Sequence, residues 1–146
     1  YLRNFTMKLK LSPGSDPITL SNVLIEFNIE DANADFNYAG TNCSLFGAGT
    51  NCTDDGTANY ANELGYCTDP DNNNGTFAVN YLVEGPNHED GYLVRGDVAM
   101  LCYRAPSDIR EDTTVMINFV PKTGTPMMIE TATPNIMTSE RVYIFP

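Results

Sequence analysis

Strict alternation of apolar and polar residues limits what this chain can fold into more than any other feature. Phe5, Met7, Leu9 and Leu11 interleave with Thr6, Lys8 and Lys10. A period of two places one set of side chains on one face of an extended strand and the other set on the opposite face. The pattern returns after the Pro13-Gly14 turn at Val23, Ile25, Phe27 and Ile29. It appears again at Phe77, Val79, Tyr81 and Val83 ahead of Gly85-Pro86, and once more at Val115, Ile117 and Phe119. The turn Pro121-Lys-Thr-Gly-Thr-Pro126 then leads into Met127, Ile129 and Thr131. Val98-Ala-Met-Leu-Cys-Tyr103 is apolar on both faces, as a central strand is. Val142-Tyr-Ile-Phe145 reads as a last strand that must pair into a sheet, since an unpaired apolar edge is sticky. No window carries a helical stripe beyond a weak one at 57–64. Seven or eight short strands predict one all-β domain over residues 1–146, an antiparallel sandwich or barrel.

Residues 31–75 have a different character. They are rich in Asn, Asp, Gly and Thr and poor in Val and Ile, which predicts one long Asx/Gly-rich loop excursion with a short strand or two near Phe36 and Tyr38. Loops of this length commonly carry function or are tied down by a cross-link or a metal. Asp69-Pro-Asp-Asn-Asn-Asn-Gly75 offers oxygen ligands at alternate positions, Asp69, Asp71 and Asn73, before a glycine that permits a sharp turn. That is the logic of a calcium loop. Gly75 falls one place late for that pattern and no Glu closes the loop, so a plain Asx turn is the other reading. Asp54 and Asp55 supply further carboxylates, which stay ionised together when a cation compensates them.

Four cysteines, Cys43, Cys52, Cys67 and Cys102, lie at long uneven spacings without a C-x-x-C, which disfavours zinc. Two disulfides in an oxidising compartment fit the spacing, and three connectivities are open. Closure of one loop by Cys43 with Cys52 leaves Cys67 for Cys102. Four ordinary thiols are the alternative. Sequons for N-glycosylation begin at Asn4, Asn42, Asn51 and Asn74, three of them in the polar middle where a sugar has room to face water.

Composition narrows the partners. With 8 Lys+Arg against 19 Asp+Glu the formal charge is −11, so nucleic acid and anionic membrane surfaces are poor partners. No run approaches the 18 or so apolar residues of a membrane span, so the domain is expected to make no direct membrane contact. Tyr1 is neither a start Met nor the head of a signal peptide, which leads us to expect that a segment once preceded it. The one histidine, His88, lies in Pro86-Asn-His-Glu-Asp-Gly91 and reads as a surface residue beside acids. Glu89 and Asp90 are a carboxylate pair, but no nucleophile elbow, phosphate-cradling glycine loop or His-x-x-x-His pair accompanies them, and no enzyme activity is expected. Arg95-Gly-Asp97 spells a cell-adhesion tripeptide. Ahead of a buried strand, it reads instead as a turn at Gly96 and a polar strand entry at Asp97.

Three blocks resemble archaellin, the archaeal flagellin. They are Met7-Lys-Leu-Lys-Leu-Ser-Pro-Gly-Ser-Asp-Pro-Ile-Thr-Leu-Ser21 with Val23-Leu-Ile25, then Gly96-Asp-Val98, then Phe119-Val-Pro-Lys-Thr-Gly-Thr-Pro126 with Ile129-Glu-Thr-Ala-Thr-Pro134 and Val142-Tyr-Ile-Phe-Pro146. The resemblance implies a β-sandwich of immunoglobulin-like or jelly-roll type, the outer domain of a motility-filament subunit whose core is built from N-terminal helices. It further implies an extracellular archaeal surface filament of repeated copies, with a structural divalent cation, calcium by preference, and N-linked glycans. The chain then looks like that outer domain without its helix, unable to assemble alone. Two other classes share the strand pattern. One is a calcium-dependent adhesion or carbohydrate-binding sandwich using the 69–75 loop, with Tyr60, Tyr66 and Phe77 near it. The other is an accessory or stator-type sandwich.

Overall fold

The computed structural model describes residues 1–41, 75–138 and 142–144. Their strands in chain order are β1 (Leu2–Leu9), β2 (Ile18–Thr19), β3 (Val23–Ile29), β4 (Ala32–Thr41), β5 (Thr76–Val83), β6 (Tyr92–Leu93), β7 (Val98–Ile109), β8 (Thr114–Pro121) and β9 (Met127–Ala132), with one 3₁₀ turn at Leu20–Asn22. Seven of them form a single sheet in the order β1-β7-β5-β4-β3-β8-β9, and β2 pairs with β6. The all-β expectation holds and the fold is sandwich-like. One pair departs from the antiparallel expectation: β4 and β5 run parallel, Asn37 facing Thr76 and Tyr38 facing Phe77. Parallel neighbours cannot be joined by a hairpin. The connection from β4 to β5 therefore has to cross over, and the expectation of one loop excursion over 31–75 is corrected: Ala32–Thr41 form a ten-residue strand, held by neighbours on both sides.

The sheet curls until its two halves meet. In a flat sheet β1 and β3, with three strands between them, would stand roughly 19 Å apart at about 4.8 Å per strand. Instead the rings of Phe5 on β1 and Phe27 on β3 are 5.0 Å apart, edge to face. Tyr103 on β7 lies 5.8 Å from Phe27 and 5.2 Å from Phe36 on β4. Edge-to-face and tilted pairs suit the ring quadrupoles and add to area burial. The alternating residues marked by the sequence supply this core: Val23, Ile25, Phe27, Phe77, Val79, Val115, Ile117 and Phe119 are all buried in one cluster. Strand β7 is buried on both faces from Ala99 to Tyr103, as a central strand should be.

Polar pins hold the open ends. Arg3 forks onto both oxygens of Asp108, tying the start of β1 to the far end of β7. Thr133 is buried; its hydroxyl accepts the N–H of Thr113 at 2.9 Å and donates to the carbonyl of Arg110 at 2.7 Å. This clamps the chain after β9 over the β7–β8 turn, where Asp112 adopts a left-handed φ of 54°. The expected last strand does not form across Val142–Ile144, which has no regular secondary structure; Phe145 lies outside the described residues. Alternation is present there. Ile144 nevertheless anchors the segment by packing on the core, while Tyr143 stays exposed.

Phe27 touches three of the other rings, so Phe27→Ala is expected to cost ~3–5 kcal/mol in denaturant unfolding. The hydroxyl of Tyr103 is buried without a hydrogen-bond partner among the described residues. Tyr103→Phe removes that unsatisfied group and should be neutral or stabilising by up to ~1 kcal/mol. A large loss in the second variant would show that the hydroxyl is bonded.

Candidate functional site

The buried charged cluster of the described residues gathers where the loop after β5 meets the turn before β7. Two glycines make it possible. A Cβ on Gly85 would lie 2.7 Å from the carbonyl oxygen of Arg95, and Gly96 takes a φ of +99° with its own Cβ position 3.1 Å from the Cα of Gly85. Backbone therefore lies directly on backbone, in a conformation that favours glycine. The contact delivers the N–H of Gly85 to Asp97 Oδ1 at 2.7 Å. The N–H of Val94 reaches Asp97 Oδ2 at 3.1 Å, and His88 Nδ1 lies 3.3 Å from the same oxygen. Asp97 is 1% exposed, a carboxylate with hydrogen-bond partners at both of its oxygens.

His88 sits between acids. Its side chain is 16% exposed, with Nε2 3.4 Å from Asp90 Oδ1 and 4.0 Å from Glu84 Oε1. The ring meets Tyr81 edge-on at 4.3 Å, and the Tyr81 hydroxyl donates to the carbonyl of Tyr92. Desolvation draws the His88 pKa down, but the hydrogen bond and charge of Asp97, the hydrogen bond of Asp90 and the charge of Glu84 outweigh it, so the pKa is raised. For Asp97 desolvation acts upward, yet the N–H groups of Gly85 and Val94 and then His88 prevail and hold the carboxyl below its ordinary value. Burial, followed by the charges of Tyr38, Asp97 and Asp90, pushes the Tyr81 hydroxyl well above its usual range. With a carboxylate at each ring nitrogen, the charged form of His88 is favoured, which suits it to fastening two loops together.

The sequence reading of His88 as a surface residue is thus corrected, because two loops close over it. The turn at Gly96 is as expected, but Asp97 is no mere strand entry. Its carboxylate is committed inside the fold, so Arg95-Gly-Asp97 does not present an adhesion ligand.

The other candidate residues are not brought to this cluster. Asp54, Asp55, Asp69, Asp71, Asn73, Cys43, Cys52, Cys67, Asn42, Asn51 and Asn74 lie outside the described residues. Asn4 has its backbone in β1, at the register shift after Leu2. Cys102 is buried on β7 opposite Thr6 and Ala78 and is disulfide-bonded. Among the described residues no group of three or more His, Cys, Asp or Glu is arranged to hold a metal ion.

No protein-family model matches the chain, and no curated protein does. A solved structure does. The fold is similar to that of an archaeal flagellin. The crystal structure of archaeal flagellin FlaB1 from Methanocaldococcus jannaschii matches with a TM-score of 0.68 over 94% of this chain and 82% of that one, at 19% sequence identity. At that identity the likeness establishes a shared fold.

The pH dependence of stability should expose the clamp. A raised histidine pKa gives stability that is full below the unfolded value of 6.5 and is lost as pH rises through the folded value. The depressed Asp97 gives stability present above 3.8 and lost as pH falls through its folded value. Denaturation midpoints should therefore fall on both sides of a plateau between those limits, and His88→Gln should flatten the alkaline limb. Asp97→Ala leaves two buried N–H groups without an acceptor and is expected to cost on the order of 2–3 kcal/mol. An unchanged alkaline limb in His88→Gln would rule the clamp out.

Proposed function

We propose that this chain is the outer domain of an archaellin, a structural subunit of an archaeal motility filament on the cell surface. The observation that carries this reading is the correspondence of fold with archaeal flagellin FlaB1 over 94% of this chain. The three sequence blocks support it independently, since they fall on parts of the architecture that fix its shape. The first runs from the end of β1 at Met7 into β3, the second is the Gly96-Asp97 turn with Val98, and the third runs from the end of β8 through the Thr133 pin and includes Val142–Pro146, where no strand forms across 142–144. In this role the domain catalyses nothing. It is a stiff body on the filament surface that meets neighbouring copies and carries load between them. Subunits that add by the same rotation and rise present two different faces to each other, so two patches on one chain must be complementary.

The remaining elements of the reading concern the 31–75 excursion and the sequons. Asp69, Asp71 and Asn73, with Asp54 and Asp55 nearby in sequence, would hold a structural calcium ion. Asn4, Asn42, Asn51 and Asn74 would carry glycans, and Cys43–Cys52 and Cys67–Cys102 would be the disulfides. Their support is the alternating oxygen ligands, the sequons and the bonded state of Cys102.

Filaments sheared from native cells should contain this sequence, preceded in the intact protein by an apolar helical segment. Peptide sequencing of the sheared fraction decides it, and a chain recovered only from other fractions would remove the filament role. For the cation, Asp71→Ala should lower the melting temperature in calcium and leave it unchanged in chelator. Equal effects in both would remove that site. Non-reducing peptide mapping of the same material reads the disulfide pairing and the occupied sequons.

A further inference from the structure

The outward face of the β4-β3-β8-β9 half of the sheet is unusual for a strand surface in water. Register places its residues in rows. Asn37, Leu24 and Val120 form one row; Asp35, Glu26, Asn118 and Met128 form the next; Asn33, Asn28, Met116 and Glu130 form the third. These positions alternate with the core residues Val23, Ile25, Phe27, Phe36, Ile117 and Phe119, so they point away from the core. A solvated sheet face is ordinarily polar. Here Leu24, Val120, Met116 and Met128 surround a central polar pair in which Asn118 Nδ2 donates to Glu26 Oε2 at 2.9 Å, and Met128, on edge strand β9, is 66% exposed. Carboxylates line this face. Glu26 lies directly opposite Asp35 across the strands, like charges facing at a position where opposite ones would stabilise.

The opposite edge of the sheet carries the other sign. Of the chain's 8 basic residues, Arg3, Lys8 and Lys10 fall within its first ten, on and just beyond edge strand β1. Arg3 is engaged with Asp108. Lys8 and Lys10 are exposed, and no ion pair joins them to an acid among the described residues. A lysine stem lies well on apolar surface while its ammonium meets an acid at the rim.

We propose that the outward β4-β3-β8-β9 face receives the β1 edge of a second copy of this chain. The stems of Lys8 and Lys10 cover Leu24, Met116, Val120 and Met128, and their ammonium groups lie against Asp35, Glu26 and Glu130. The proposal rests on the filament reading and gives it a contact. The two surfaces differ and lie on separate parts of one molecule, so each added copy leaves one of each exposed. Such a contact propagates rather than closing into a dimer. It also gives an acidic chain a local attraction that overcomes its overall repulsion at short range.

Sedimentation of the chain over a concentration series tests it. Without the helix no filament is expected, but this lateral contact by itself should make the wild-type chain associate in low salt with a mass that keeps rising, and about 0.5 M salt should weaken that association. Lys8→Glu with Lys10→Glu should weaken it about tenfold or more, and Asp35→Lys with Glu130→Lys equally. Mixing the two variants should restore it, since the acidic edge of one then fits the basic face of the other. Net charge alone makes the opposite forecast for the second variant, which is less negative than wild type and would associate more strongly. Met128→Lys removes the most exposed apolar side chain of the face without removing an acid and should also weaken association, with an unchanged denaturation midpoint as the check on folding. A chain that stays monomeric in low salt at millimolar concentration overturns the contact, as does an Asp35/Glu130 variant that associates as well as wild type. Sheared filaments that contain the chain while these swaps have no effect would overturn the contact and keep the filament role. Swaps that act as forecast in a chain absent from filaments would keep the contact and remove the role.

Discussion

The meeting of β1 with β3 across the aromatic core is the constraint on which the structure depends. A seven-stranded sheet left open would expose one whole apolar face. By curling until Phe5 reaches Phe27 and Phe36 reaches Tyr103, the sheet acts as its own second layer. Everything outside follows from that closure. The inward alternation fixes which residues face out, and so determines that Leu24, Met116, Val120 and Met128 share one surface with Asp35 and Glu130. The Arg3–Asp108 fork and the Thr133 pin then hold the two ends against fraying.

Most of this architecture was legible in the sequence because burial on one face leaves a period of two. The strands containing Phe5, Phe27, Phe77, Ile117 and Ile129 all stand where alternation places them. Two features were hidden. Strand β4 is written in Ala, Asn, Asp and Gly, with Phe36 and Tyr38 as its only large inward residues, so its full length to Thr41 and its parallel partner depend on neighbours rather than on its own propensity. Conversely, Val142 to Ile144 alternates well and forms no strand, because pattern supplies a face and not a partner.

The candidate site was the least legible part, for a physical reason. Asp97 and His88 are ordinary residues in polar stretches, and nothing in their spacing shows that they meet. What brings them together is the backbone contact of Gly85 with Gly96, eleven residues apart in sequence and touching in space. A glycine flanked by Pro and one flanked by Asp are common turn residues, and only the fold reveals that neither has room for a Cβ. The same contact turns the adhesion-like tripeptide into an internal fastening, where environment outweighs composition.

The pairing of β1 with β7 sets a timetable. Leu9 faces Ala99 and Leu2 faces Ile109, so β1 waits for a partner that lies far along the chain, beyond β3, β4 and β5. Contacts so distant in sequence make folding slow, since a long loop must close before the pairing is rewarded. Until then the newborn chain carries Phe5, Met7 and Leu9 on a strand with nothing beside it. In a chain made from one end to the other, such delay keeps β1 extended until β7 has followed it.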